Sequence, residues 1–140
     1  MGIEYNPFSI EGKTILITGA SSGIGRATAI ECSKMGAKVV ITGRNVERLQ
    51  ETFDLLQGNE NIQIVANLNS EEDIEHLVEE CPILDGLVNN AGRGINKPVN
   101  FVKLDDLKDV YQTNLFAIAI LTKQLIKKKK LIKCSSIVFT

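Results

Sequence analysis

Residues 14–25 of the chain read TILITGASSGIG, an apolar run that leads into a turn with three glycines. A helix-like stretch follows directly, and this order is typical of a phosphate-binding turn between a buried strand and a helix. Gly19, Gly23 and Gly25 lack the Cβ that would hold backbone amides away from a pyrophosphate or keep the helix off the strand. Taken alone, the turn also fits a purely structural role, so other parts of the chain must decide.

Apolar runs that suit strands alternate along the chain with amphipathic segments that suit helices. Strands are predicted over residues 14–18, 38–42, 62–66, 84–89 and 137–139, and helices over 24–35, after Asn45, from Ser70 and over about 105–130. Strands separated by helical segments of this length pair in parallel through right-handed crossovers. The sequence therefore predicts a doubly wound, mostly parallel α/β sheet with its ligand site at the carboxyl ends of the strands, beside the glycine turn.

Composition excludes several classes of function. The chain has 140 residues, 44% of them apolar, and a net charge of −1, which is typical of one globular domain without a broad polyanion-binding surface. Its longest apolar run, residues 115–121, is far shorter than the about 20 residues of a membrane span. Residues 1–7 have neither the basic flank nor the apolar stretch of a signal peptide. We therefore expect a cytoplasmic protein that binds no membrane.

Cysteine, histidine and lysine patterns narrow the class further. The three cysteines, Cys32, Cys81 and Cys134, are widely spaced, which predicts no disulfide framework and fits a reducing compartment. With His76 as the single histidine, the sequence predicts no metal site. The lysine run 127–130 suits the C-terminus of a helix, where cations favour the helix dipole, better than a nucleic-acid-binding role.

Two further motifs contain asparagine at positions that call for a reason. The fourth predicted strand ends in Asn89-Asn90-Ala91-Gly92, whose small residues let a ribose lie against the backbone. Asn90 has both donor and acceptor groups, enough to tie this strand to its neighbours or to bind a ribose hydroxyl. Asn114 lies in an apolar helical stripe although asparagine is a poor helix former, so it is either a satisfied structural residue or a functional one.

Together these motifs resemble the short-chain dehydrogenase/reductase family. The resemblance comprises TGxxxGIG at 18–25, NNAG at 89–92 and the helical Asn114, covers residues 8–140, and is greatest to the 3-oxoacyl-carrier-protein reductases. It implies a Rossmann-type fold that contributes the first five strands of the family's sheet. It also implies a nicotinamide cofactor and hydride transfer to or from a carbonyl or alcohol carbon.

The residue that follows the second strand bears on the choice of cofactor. NAD enzymes place an acid there to bind the adenosine ribose, whereas this chain has Gly43 followed by Arg44. A carboxylate would repel a 2′-phosphate and a guanidinium can bind one, so NADP(H) is predicted. After the third strand the family usually has an Asp against the adenine, and this chain has Asn67. The predicted cofactor-binding residues are Gly19, Ser21, Ser22, Gly23, Ile24, Gly25, Arg44, Asn67, Leu68, Asn90, Ala91 and Gly92.

The family uses an Asn, a Ser, a Tyr and a Lys for chemistry. Of these four only Asn114 is present, and the resemblance implies that it holds a water in a proton relay. Neither tyrosine begins a Tyr-x-x-x-Lys, because Leu115 follows Tyr111 at that spacing and Ser9 follows Tyr5. Ser135 and Ser136 lie at the predicted start of strand five, too early for the family's Ser.

Residues 1–140 are therefore expected to be the NADP(H)-binding N-terminal part of a single reductase domain, inactive by themselves. The substrate of the intact enzyme would be a small carbonyl or alcohol, with no nucleic-acid partner. The helix over 105–130 is expected to expose apolar residues and to form a homo-oligomer, as in the family. The alternative is a non-enzymatic nucleotide-binding or interaction fragment.

Overall fold

The computed structural model describes residues 6–140. Tyr5 and most of the N-terminal segment for which no signal peptide was predicted lie outside the described residues. Every strand pair in the sheet is parallel, and the spatial order is β3-β2-β1-β4-β5. The strands are β1 Thr14–Thr18, β2 Lys38–Gly43, β3 Ile62–Val65, β4 Leu84–Asn89 and β5 Leu131–Phe139. This order confirms the predicted doubly wound Rossmann-type sheet, and it reverses between β1 and β4.

The helices are α1 Gly23–Lys34, α2 Val46–Asp54, α3 Glu71–Glu80, α4 Leu104–Tyr111 and α5 Ala117–Lys127. A short 3₁₀ turn, Val99–Phe101, precedes α4, and a π-helical turn, Gln112–Phe116, joins α4 to α5. The helix predicted over 105–130 is thus interrupted at its centre and ends at Lys127. Among the described residues, no helix is long and apolar enough to cross a membrane.

Helices cover both faces of the sheet because adjacent apolar residues of each strand point in opposite directions. Leu16 and Ile17 of β1 are both fully buried and belong to two separate clusters. Leu16 packs with α3 and α5 through Ile74, Leu77, Leu121 and Leu125. Ile17 packs with α1 and α2 through Ala29 and Leu49. Each fully buried leucine or isoleucine contributes about 2 kcal/mol relative to an exposed one, so these two layers hold the helix termini at the sheet edge.

Asn45 and Ser70, where the sequence predicted that helices start, are the N-cap residues of α2 and α3. Asn45 accepts a hydrogen bond from the Arg48 amide at 2.9 Å, and Ser70 accepts one from the Asp73 amide at 3.2 Å. The Asp73 carboxylate does not complete a capping box, because its Oδ2 accepts from the Asn67 amide at 2.7 Å. Asp73 therefore orders the loop that follows β3.

The last lysine of the run, Lys130, contacts a helix other than the one that it follows. Lys130 Nζ donates to the carbonyl oxygens of Cys81 at 2.6 Å and Glu79 at 3.3 Å, at the C-terminus of α3. A cation is favourable there because it interacts with the negative end of a helix dipole. The acceptors belong to α3, however, and not to α5. Lys129 has a φ of +56°, so the chain turns sharply between α5 and β5.

Strand β5 is longer than predicted and is irregular. Leu84 pairs with Leu131 and Gly86 pairs with Ser136, so five steps along β5 oppose two along β4. Ser135 and Ser136 consequently lie within the strand and not at its start. A bulge of this kind leaves residues unpaired and bends the strand.

The pH dependence of the free energy of unfolding tests the burial of Cys81. Desolvation raises the pKa of its thiol from 9.0 to about 12, although Lys130 acts in the opposite direction. Because the folded pKa is the higher one, the contribution of Cys81 to stability is complete below about pH 9 and is lost as pH rises toward 12. Between about pH 8 and about pH 10, the free energy of unfolding measured in urea should fall by about 1 kcal/mol more in the wild type than in Cys81→Ala. Equal losses in both proteins would contradict this assignment.

Candidate cofactor-binding site

A cleft of about 440 Å³ opens at the carboxyl ends of the strands, across the point where the strand order reverses. Ten of the predicted cofactor-binding residues line it: Gly19, Ser21, Ser22, Ile24, Arg44, Asn67, Leu68, Asn90, Ala91 and Gly92. Gly23, Gly25 and Asn114 do not line it. Other lining residues were not predicted from sequence, among them Asn45, Arg48, Asn69, Arg93 and Thr113.

The first and third glycines of the turn bring three backbone segments together. Gly19 has a φ of +65°, and a Cβ there would lie 2.8 Å from the Ala91 Cα. A Cβ on Gly25 would overlap the carbonyl oxygen of Gly19 and would lie 2.5 Å from Asn90 Nδ2. Gly25 is therefore a packing residue that lets α1 start against the turn, which is the second of the two roles predicted for these glycines.

The N-terminus of α1 is open to an anion. Ser22 is its N-cap residue but makes no side-chain cap bond, and the first turn has no acidic residue. By contrast, Asn45 and Ser70 cap α2 and α3 with their side chains. The first amides of α1 and the positive end of its dipole are thus available beside the cleft, and this donor set fits a pyrophosphate.

Thr18 and Asn90 join the glycine turn to the end of β4. Thr18 Oγ1 accepts from the amides of Asn90 at 3.0 Å and Ala91 at 2.9 Å. Asn90 Nδ2 donates to the carbonyls of Thr18 and Gly19, and Asn90 Oδ1 accepts from the Thr140 hydroxyl at 3.0 Å. The Asn90 side chain therefore ties the ends of neighbouring strands together, which is one of the two roles considered for it, and its contact with a ribose hydroxyl stays a prediction.

Arg44, Arg48 and Arg93 line the cleft, and no aspartate or glutamate among residues 6–140 does. Arg44 follows β2, and Arg48 lies in the first turn of α2; both are exposed. A Cβ on Gly43 would lie 3.1 Å from Ser21 Oγ, so the glycine turn and the end of β2 are in close contact. The buried Thr42 hydroxyl, also in the lining, has no hydrogen-bond partner among residues 6–140.

The loop after β3 closes another wall of the cleft. Asn67 Oδ1 accepts from the Asn69 amide at 3.1 Å, which uses one lone pair of the carbonyl that was predicted to meet the adenine. Asn69 Nδ2 donates to Thr113 Oγ1 at 3.0 Å, and the Thr113 hydroxyl lies 3.2 Å from Asn69 Oδ1. This pair links the β3 loop to the π-helical turn.

Asn114 lies in that π-helical turn and clamps the loop after β4. Its Oδ1 accepts from the Arg93 amide at 2.8 Å, and its Nδ2 donates to the Arg93 carbonyl at 2.9 Å. The turn is closed by a bond from the Ala117 amide to the Gln112 carbonyl. These bonds explain the asparagine in an apolar stripe, and π-helical turns of this kind are frequent at functional sites. Its part in a proton relay stays a prediction.

The described residues contain no group of three or more His, Cys, Asp or Glu side chains arranged to hold a metal ion. The parallel sheet, the glycine turn after β1 and the cleft at the switch point define a Rossmann-type α/β protein. The sequence model of one such family, described as short chain dehydrogenase, matches residues 13–140. The chain belongs to the short-chain dehydrogenase/reductase family.

Relatives within the family cover most of this chain. A 3-oxoacyl-[acyl-carrier-protein] reductase of Rickettsia felis is 40% identical over an alignment of 135 residues that covers 92% of this chain and 56% of the relative. A 3-ketoacyl-(acyl-carrier-protein) reductase from Brucella melitensis complexed with NADH has a TM-score of 0.76 at 31% identity, over 85% of this chain and 51% of that one. A short-chain dehydrogenase from Escherichia coli CFT073 complexed with NADPH has 0.76 at 32%, over 85% and 54%. The chain thus spans about half the length of these relatives.

Proposed function

We propose that the chain is the cofactor-binding part of a reductase that transfers hydride between NADP(H) and a carbonyl or alcohol carbon. The observation that carries the proposal is the cleft at the switch point, whose lining, within the described part of the chain, has three arginines and no carboxylate. A carboxylate after β2 would favour an unphosphorylated ribose, and Gly43 occupies that place. A guanidinium binds a phosphate with parallel, charge-assisted hydrogen bonds.

Each wall of the cleft has its own part in this proposal. The amides at the start of α1 would hold the pyrophosphate, and Ser21 and Ser22 would donate to phosphate oxygens on the adenosine side or to ribose oxygens. Arg44 and Arg48 would bind the 2′-phosphate, and Asn67 and Leu68 would contact the adenine. Ala91 and Gly92 would let the ribose approach the backbone after β4. When bound, the nicotinamide supplies or accepts the hydride.

Asn114 is proposed to act by position. Both groups of its side-chain amide are bound to Arg93, so it fixes the loop after β4 relative to the π-helical turn. This arrangement fixes the part of the loop that contains Gly92, which lines the cleft. A Cβ on Gly92 would lie 3.3 Å from Asn114 Oδ1, which shows how closely the two segments pack.

Substrate, assembly and location are proposed from the relatives and from exposure. We propose a 3-oxoacyl thioester as the substrate class, since a reductase of that name is 40% identical to the chain. Exposed apolar side chains on α4, the π-helical turn and α5 support a homo-oligomer through this face: Leu104, Leu107, Tyr111, Leu115, Phe116 and Ile126. Three free cysteines support the cytoplasm, which is a reducing compartment.

The alternative function is nucleotide binding without catalysis. It is favoured by the lack of a Tyr-x-x-x-Lys in the 140 residues, since an unperturbed tyrosine titrates near 10 and needs a nearby cation to act near neutral pH. We propose that these residues bind the cofactor but do not catalyse hydride transfer by themselves.

Calorimetric titration of the chain with NADPH and with NADH tests the binding proposal. We expect NADPH to bind at least about tenfold more tightly, a difference of about 1.4 kcal/mol and the scale of one charge-assisted hydrogen bond. Equal affinities would refute the phosphate-binding role of Arg44, and binding of neither would refute the cofactor site. An assay of NADPH oxidation with a 3-oxoacyl thioester should detect no turnover, and measurable turnover would refute the requirement for the Tyr and Lys.

A further inference from the structure

The side chain of Arg26, in α1, connects the glycine turn to α2. Its Nε donates to Thr52 Oγ1 at 2.9 Å, and its Nη2 donates to the Ser21 carbonyl at 2.8 Å. Nη2 also lies 3.0 Å from Glu51 Oε2 and 3.2 Å from the Arg48 carbonyl. One guanidinium thus bridges the turn after β1 and the first helix after β2.

Thr52 completes this connection from the other side. It is fully buried, and its hydroxyl donates to the Ala20 carbonyl at 2.8 Å while it accepts from Arg26. The carbonyls of Ala20 and Ser21 are therefore both bound by side chains that are fixed to α2. Because buried carbonyls need partners, this network holds the turn in one position relative to α2.

The network spans the two halves of the proposed phosphate site. Ser21 and Ser22 come from the glycine turn, whereas Arg44 and Arg48 come from the segment that starts α2. Neither Arg26 nor Thr52 lines the cleft. The charge of Arg26 is paired with Glu51 at 3.0 Å, so what Arg26 supplies to the site is chiefly geometry.

We propose that Arg26 and Thr52 are positioning residues that set the preference for a 2′-phosphorylated cofactor over an unphosphorylated one. The inference rests on the proposed NADP(H) function. A 2′-phosphate must meet the hydroxyls of the turn and the guanidinium groups near α2 together, so it depends on the distance between them. The pyrophosphate and the nicotinamide end depend instead on the first amides of α1 and on the loop after β4.

Thr52→Val and Thr52→Ser form the matched pair for the test, because valine removes the hydroxyl at nearly constant volume and serine keeps it. In calorimetric titrations of the full chain, Thr52→Val should raise the Kd for NADPH about tenfold, the scale of a lost hydrogen bond to a charged group. The Kd for NADH should rise no more than about twofold, and Thr52→Ser should restore the wild-type ratio of the two constants. Unfolding in urea, measured in parallel, confirms that each variant is folded.

Arg26→Met and Glu51→Gln separate position from charge. If Arg26 acts by position, Arg26→Met lowers the NADH-to-NADPH ratio of Kd values as Thr52→Val does, and Glu51→Gln leaves it within about twofold. A rise of the ratio in Glu51→Gln with no change in Thr52→Val would show that charge acts instead, and would overturn the inference.

The outcomes also separate this inference from the function on which it rests. A wild-type ratio near one refutes the preference for phosphate, and the inference falls with it. A high wild-type ratio that Thr52→Val leaves unchanged, or a rise of both Kd values by the same factor, refutes the inference alone.

Discussion

Replacing Gly25 by alanine is expected to destabilise the chain by about 2–3 kcal/mol, the upper range for overpacking a tight site. At an open position in a helix the same change would stabilise by about 1 kcal/mol, since alanine is the better helix former. Here the added Cβ would overlap the Gly19 carbonyl oxygen and lie 2.5 Å from Asn90 Nδ2. The first contact is with backbone, so α1 or the turn must move, and the steric cost exceeds the gain in propensity.

The same displacement should weaken cofactor binding. Moving α1 away from the turn separates the amides of its first residues from the Ser21 and Ser22 hydroxyls. We expect the Kd for NADPH to rise about a hundredfold, equivalent to about 2.7 kcal/mol. Urea unfolding and calorimetric titration measure the two effects independently.

Gly94→Ala is the control for the Gly25 prediction. A Cβ on Gly94 meets nothing within 4 Å, and its backbone is not in the left-handed region. Its free energy of unfolding should change by less than about 0.5 kcal/mol. If Gly25→Ala behaved like Gly94→Ala, the close packing of α1 on the turn would be wrong.

The fold was predictable because its determinants are local. The strands β1 to β4 show their apolar runs directly, and Gly36, with a φ of +83°, ends α1 where the sequence indicated. The segment 127–136 was not predictable in the same way. The position of Lys130 depends on carbonyls of α3 that are 49 and 51 residues away, and the irregular β5 depends on its pairing with β4.

The residues of the candidate site likewise divide into those with a local sequence signal and those that only tertiary packing brings together. Motifs with fixed spacing singled out the glycine turn, Arg44 and the NNAG segment, and residues from all three line one cleft, while their binding roles stay predictions. Arg48 had a usable signal, because it lies four residues after Arg44 in the first turn of a capped helix. Arg26 and Thr52 had none, since they are 26 residues apart and meet only when α1 and α2 pack on the same face. The bonds of Asn90 to the carbonyls of Thr18 and Gly19 also appear only in the folded chain.

Replacing Arg44 by glutamate is expected to weaken NADPH binding by about a hundredfold, or about 2.7 kcal/mol, while NADH binding stays within about threefold. The change removes charge-assisted hydrogen bonds and places a carboxylate beside the 2′-position. A carboxylate there repels a phosphate but can accept hydrogen bonds from the ribose hydroxyls of NADH. Calorimetric titration of both cofactors against wild type and variant measures the effect.

Lys123→Glu is the control for net charge. Lys123 is exposed on α5 and does not line the cleft, so the substitution alters net charge equally without touching the site. It should change the Kd for NADPH by less than about twofold at about 0.15 M salt, where charges more than about 8 Å apart are largely screened. A similar loss in both variants would mean that overall charge, and not a local contact, sets the affinity.

Arg48 is the remaining competitor for the phosphate. It lines the same cleft, but its backbone is fixed by Asn45 and by Arg26, whereas Arg44 lies directly after β2. If Arg44 is the main ligand, Arg48→Glu should cost about tenfold in NADPH affinity, mainly through repulsion, against the hundredfold of Arg44→Glu. The reverse order would assign the phosphate to α2. Because Gly43 offers no carboxylate in either case, NADH should bind more tightly than NADPH only in variants that introduce an acid.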